Sequence, residues 1–155
     1  MMTACRQEMA DQPRYDPLEA SKFFPDGQSA RPLVEGTVAR GQLRDDEQFF
    51  YGGTDTTVAA EFPWPVTIEV LQRGQQRYDI YCTPCHGPQG KGDGRIVGKG
   101  IPSSDLHTDR IKRQKDGYMY ATIRSGGIIM PSYNHALSTK ERWAIVNYVR
   151  QLQGQ

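Results

Sequence analysis

An all-helical domain preceded by a loop-rich arm is the fold class this sequence predicts. Three observations carry that expectation. Residues 66–81 repeat apolar or small side chains at helical spacing. Residues 138–141 read as a helix start and lead into an apolar stripe. Residues 1–65 hold six of the ten prolines and show no sustained helical or alternating period. The 155 residues suffice for one compact domain and an appendage.

The arm comes first, over residues 1–65. Pro13, Pro17, Pro25, Pro32, Pro63 and Pro65 punctuate it, with Gly36, Gly41, Gly52 and Gly53 between them. Phe23 and Phe24 are its candidate anchors, and Arg44–Glu47 reads as a solvated charge run. Such a composition supplies little for a core of its own. The arm is therefore expected to dock on a partner.

The domain follows, over residues 66–155. A helix is predicted from Val66 to Tyr81, with Val70, Gly74, Tyr78 and Tyr81 at helical spacing. Six glycines between positions 87 and 104 predict a loop. A short helix is expected over Asp116–Arg124, burying Tyr120 and Ile123. Ser138 and Glu141 form a capping box for the last helix, whose stripe is Ile145, Tyr148, Val149 and Leu152.

Charge divides the chain the same way. Residues 1–65 carry 6 basic and 11 acidic side chains, net −5; residues 66–155 carry 13 and 7, net +6. The basic residues of the second part include Arg95, Lys99, Lys112, Arg113 and Lys115, with no stacking aromatics among them, so nucleic acid is not the expected partner. No apolar run approaches the roughly 20 residues of a membrane-spanning helix.

The chemistry concentrates at Cys82-Thr83-Pro84-Cys85-His86, the pattern of c-type haem attachment. Each thiol can add to one vinyl group of the same porphyrin edge, which places the next residue's imidazole under the ring. Three other readings of the motif compete: a redox dithiol, a zinc site and chance occurrence of so short a pattern; a catalytic haem protein is a further reading of the function. A thioredoxin-like dithiol wants a strand before the first cysteine, whereas a helix stands there. A zinc-stabilised interaction module needs four ligands; His107 and His135 are available but stand at no common zinc spacing. A catalytic haem protein would keep one iron position open. For an electron carrier a second axial ligand is wanted, and methionine there raises the potential. Of five methionines, Met1, Met2 and Met9 lie in the arm, and Met119 falls inside the short helix, a core position. Met130, in a Gly-Gly-Ile-Ile-Met-Pro loop, is the favoured ligand, with His135 the rival.

The run from Cys82 to Gly94, then Ile101–Leu106, Asp116–Gly126, Met130–Tyr133 and the capped last helix, resembles class I cytochrome c over about residues 66–150. The resemblance implies that fold: three main helices around one covalent haem c, the first and last crossing at Gly74 and Tyr148. It implies thioethers at Cys82 and Cys85, axial ligands His86 and Met130, and a Pro102 carbonyl that accepts a hydrogen bond from the His86 ring. It implies an electron carrier with no substrate turnover of its own. Lys91, Arg95, Lys99 and Arg113 form a candidate docking rim.

The arm narrows the match. Its segments Pro13–Leu18, Phe23–Pro32 and Gly36–Gly41 are similar to those of the mono-haem cytochrome c subunit of bacterial alternative complex III, a quinol-oxidising membrane complex. That resemblance implies partners including a multihaem cytochrome subunit and a terminal oxidase or soluble carrier. It also implies a periplasmic or extracytoplasmic location. A free-standing or oxidase-associated small cytochrome c is the alternative. Met2–Cys5 resembles the tail of a bacterial lipoprotein signal, making Cys5 a candidate lipid anchor; the other reading of Cys5 is an ordinary thiol.

Overall fold

Thr67 opens the first long helix: its hydroxyl accepts from the Val70 N–H at 3.4 Å. The computed structural model describes residues 12–54 and 57–154, so Cys5 lies outside the described residues. Among the described residues six α-helices follow one another: α1 Glu47–Tyr51, α2 Ile68–Tyr81, α3 Thr83–His86, α4 Asp109–Lys112, α5 Asp116–Ser125 and α6 Thr139–Leu152, with a 3₁₀ turn at Val97–Lys99. Among the described residues there are two isolated β-bridges and no strand. No described helix is long and apolar enough to cross a membrane.

The expected helices stand where periodicity puts them. On α2, Gly74 and Tyr78 are buried and Val70 and Tyr81 partly so. Helix α5 buries Met119, Tyr120 and Ile123, which makes Met119 a core residue. The capping box is complete. Ser138 Oγ accepts from Glu141 N, and Glu141 Oε2 accepts from Ser138 N at 2.9 Å.

Helices α2 and α6 cross at Gly74. A Cβ there would lie 2.7 Å from the Ala144 carbonyl carbon and 3.1 Å from Tyr148 Cβ. A side chain at Gly74 would hold the helices apart. The crossing expected of Gly74 and Tyr148 is thus present, and Tyr148 also packs on Tyr78 with ring centroids 5.3 Å apart. Glu141, beyond its capping role, accepts from Arg73 of α2 at 2.6 Å. It also lies 2.8 Å from Arg77 Nε, an ion pair without hydrogen-bond geometry.

The compact unit containing these helices begins at Arg44 and not at residue 66. Residues 44–65 belong to it because their backbone and aromatic groups pack on α5 and α6. Tyr120 donates to the Phe50 carbonyl and Trp143 Nε1 to the Phe49 carbonyl, at 2.9 and 2.8 Å. Phe62 stands edge-on to Trp143, and Trp143 stacks on Tyr120 at 4.5 Å. Gly117 N donates to the Ala59 carbonyl at 3.0 Å. The charge run at Arg44–Glu47 is exposed as expected, but Asp46 within it caps α1, accepting from Phe49 N at 2.9 Å.

The preceding unit ends at Leu43. In it, a bridge between Ala20 and Gln28 closes a short loop around the buried Ser21, whose hydroxyl donates to Tyr15 Oη at 3.1 Å. Arg31 lies over the Phe24 ring and pairs with Asp26 at 2.8 Å. Phe23, Leu18, Leu33 and Val34 are exposed.

Candidate functional site

The Cys82–His86 segment forms a turn of its own. Cys82 ends α2, donating its N–H to the Tyr78 carbonyl at 2.8 Å, and then caps α3. Pro84 sits in the first turn of α3, where its missing N–H costs nothing. A four-residue helix leaves its carbonyls without partners, and the glycine loop supplies them. Ile96 N donates to Pro84 O, Gly94 N to Cys85 O and Gly92 N to His86 O, at 3.1, 3.0 and 2.8 Å. A Cβ at Gly94 would collide with the Pro84 and Cys85 carbonyls. The glycines therefore let the loop press against the back of the turn. The Tyr78 hydroxyl, fully buried, donates to Gly87 O at 2.9 Å and fixes the turn's far end.

The two thiols are free and not joined to each other; Cys82 is buried and Cys85 partly so. Burial, and next the neighbouring Cys85 and Asp79, push the Cys82 thiol up to about 12. It is a neutral thiol at physiological pH, unlike the depressed thiolate of a redox dithiol. His86 is lowered by burial, against a smaller opposing effect of the Ser104 carbonyl. Its Nδ1 lies 3.0 Å from that carbonyl and 3.1 Å from Ser103 Oγ. A carbonyl only accepts, so the network assigns the proton to Nδ1. Nε2 then carries the lone pair, and among the described residues nothing takes it. That is the neutral tautomer a metal-binding imidazole needs.

The acceptor is Ser104 and not Pro102, as the resemblance had implied. Pro102 is exposed, and the chain places its own two serines against the ring. The orienting bond exists, two residues further along.

Met130 is partly buried against the core. Its loop is fastened on both sides. Gly127 N donates to Met130 O at 2.9 Å, Ser132 Oγ to Arg124 O at 2.6 Å, and Tyr133 N to Ile123 O at 3.0 Å. Gly126 takes φ +84, and a Cβ there would lie 2.8 Å from Met130 O. Tyr133 ties the loop to the cysteine segment. Its hydroxyl is 3.4 Å from the Tyr81 carbonyl, and its titration is raised by burial and then by Cys82 and Cys85. The structure thus draws the Met130 loop to the turn bearing Cys82, Cys85 and His86.

His135 is exposed, and His107 Nε2 is 2.6 Å from the Gln89 carbonyl, holding the glycine loop. Among the described residues no three of His, Cys, Asp and Glu gather to hold a metal ion, so the donors do not fit zinc. They do fit a tethered porphyrin: two free thiols on one turn, an adjacent imidazole whose Nδ1 is engaged, and a thioether in a fastened segment. Sequence reasoning did not single out Tyr133, Ser103, Ser104 or the buried Arg142. Tyr133 was readable from its place three residues after Met130, whereas the serines and Arg142 carry no signal of their own.

The family model described as "Cytochrome C oxidase, cbb3-type, subunit III" matches residues 69–149. No curated protein matches the chain. Among solved structures, one titled "KustC0563 c-type cytochrome" is 23% identical with a TM-score of 0.46, over 52% of this chain and 96% of that one. A chain of the "Kuenenia stuttgartiensis reducing HAO-like protein complex Kustc0457/Kustc0458" is 27% identical with a TM-score of 0.49, over 68% of this chain and 54% of that one. With the family model spanning more than half of its length, a helical body of the expected order and the Cys82–His86 turn, the chain belongs to the cytochrome c family described by the cbb3-type oxidase subunit III model.

Proposed function

We propose that the domain carries one covalent haem c and transfers electrons without turning over a substrate. Cys82 and Cys85 would hold the porphyrin by thioethers, and His86 and Met130 would be the axial ligands. When bound, haem supplies a one-electron couple at its iron. The chain's own residues do the rest. Ser103 and Ser104 orient the His86 imidazole, and Tyr133 and the glycine turn at 126–127 hold the Met130 loop against the cysteine turn. The observation that carries the reading is His86: an imidazole with Nδ1 engaged and Nε2 left over, on the same turn as two free thiols.

The finer assignment is to a subunit of a membrane quinol-oxidising complex of the alternative complex III type, on the extracytoplasmic face, passing electrons to an oxidase or a soluble carrier. It is supported by the arm's motifs and by the exposed apolar side chains Leu18, Phe23, Leu33 and Val34, which suit docking on another protein. Lys91, Arg95, Lys99 and Arg113 are exposed, as a rim that speeds charged encounters requires. Cys5 as a lipid anchor belongs to the same proposal, as does the docking role expected of the arm at residues 1–65, which falls to the unit that ends at Leu43.

Met130→Ala tests the ligation. The variant should keep its haem but show a lower potential and bind carbon monoxide when reduced; an unchanged spectrum and potential would remove Met130 from the site. Mild detergent extraction of native membranes tests the assignment: co-purification with a multihaem cytochrome supports it, and recovery of this chain alone refutes it.

A further inference from the structure

Arg142 is only 4% exposed, yet every oxygen it meets is neutral. A guanidinium cannot shed its proton, and burying it is costly unless its N–H groups are satisfied. Here they are. Nε and Nη2 both donate to the Tyr120 hydroxyl, at 3.3 and 3.1 Å. Nη2 also reaches Thr139 Oγ1 at 3.2 Å. Nη1 donates to the Leu137 carbonyl at 2.5 Å and, more weakly, to that of Asn134 at 3.4 Å.

Those two carbonyls lie in the segment that leaves the Met130 loop. Leu137 N donates back to Tyr133 O at 3.0 Å, and Tyr133 N to Ile123 O at 3.0 Å. The Tyr133 ring stands edge-on to Tyr81, the residue before Cys82, at 6.0 Å. An unbroken run of contacts therefore joins Arg142 to the residue three beyond Met130.

We propose that Arg142, seated on Tyr120, is a latch that positions the Met130 loop and sets how often the thioether is released. This rests on the reading of Met130 as an axial ligand. If the 130–137 segment swings out, the guanidinium keeps its charge, stays in the core and loses its carbonyl acceptors. Opening is therefore resisted by a charge-assisted hydrogen bond that closing restores. Removing one such bond shifts an opening equilibrium by roughly tenfold to a hundredfold. Arg142 and Tyr120 are positioning residues, since their hydrogen bonds go to each other and to Phe50, Asn134, Leu137 and Thr139, and to none of Cys82, Cys85, His86 and Met130.

Imidazole binding to the ferric haem-loaded protein reads loop opening directly, because the thioether must leave first. Arg142→Met should raise the observed binding rate at least about tenfold. Tyr120→Phe should raise it less, and Arg142→Lys should restore part of the wild-type rate. Arg150→Met is the control for mere destabilisation. Arg150 Nε pairs with Asp116 at 2.7 Å and its head also serves the carbonyls of Lys112 and Gln114, away from the Met130 loop. That variant should melt earlier and leave the rate unchanged. Wild-type rates in Arg142→Met and Tyr120→Phe, or an equal rise in Arg150→Met, would overturn the latch. Should Arg142→Met not accumulate with haem, Tyr120→Phe and Arg142→Lys decide the matter. The ring-current-shifted methyl resonance of an iron-bound methionine, in the reduced wild type, separates the two claims. Its absence overturns the ligand reading and the latch with it. Its presence with unchanged rates overturns the latch alone.

Discussion

Gly74→Ala opposes two effects of known size at the crossing of α2 and α6. Alanine is the better helix former by up to about 1 kcal/mol, so on an isolated helix the change would stabilise. In the folded chain the added methyl meets the Ala144 carbonyl carbon at 2.7 Å and Tyr148 Cβ at 3.1 Å. The first of these is backbone and cannot rotate away. The helices must separate by a good fraction of an ångström, and a gap of 0.5–1 Å forfeits roughly a quarter to a half of each contact's attraction. Overpacking of this kind costs about 1–3 kcal/mol and sometimes more. Because the crossing carries buried Tyr78, Ile145 and Val149 alongside, the upper half of that range applies. The net loss is about 2 kcal/mol after the propensity gain, or roughly 8 °C in Tm for a unit of this size. Thermal denaturation of the haem-loaded protein measures it. Gly98→Ala is the companion, since nothing lies within 4 Å of a Cβ there; its Tm should move by no more than a degree or two. A Gly74→Ala protein as stable as wild type would refute the close crossing.

Ser138→Ala should cost about 1 kcal/mol by unmaking the capping box of α6, read as a lowered denaturation midpoint with an unchanged slope. Glu141 carries a pH dependence. Burial pushes its carboxyl up, but the two bonds from Ser138 together with Arg73 and Arg77 outweigh this and leave it below its ordinary 4.5. A depressed carboxyl binds its proton later in the folded state than in the unfolded chain. Its contribution is therefore complete above the ordinary value and is lost as pH falls through the folded one. Stability of wild type minus that of Glu141→Gln should shrink as pH is lowered from 6 to 3; a difference independent of pH would show that the carboxylate does not act as charged.

Most of the helical body was legible because its signals are local. Spacing alone placed α2 and α5 within two residues, and the Ser138–Glu141 box located α6, since a cap depends on four consecutive residues. The Cys82–His86 turn was legible for the same reason. The segment 44–65 was not. Its residues have no period because they are held by backbone carbonyls at Phe49 and Phe50, which a sequence does not display, and by aromatic contacts to Trp143 and Tyr120. The swap of Ser104 for Pro102 at the His86 ring has a similar cause: the acceptor is a main-chain oxygen, so any residue type can supply it. Arg142 drew no notice in the sequence, since only the fold reveals that its head group is buried among carbonyls and the Tyr120 hydroxyl.

Intact-mass measurement of the protein isolated with its cofactor, followed by fragmentation across residues 78–90, bears most directly on the central claim. Covalent haem c gives a single population heavier than the chain by one haem, with the added mass confined to a fragment containing both Cys82 and Cys85. An unmodified chain, or a haem that dissociates on acid denaturation, would contradict it.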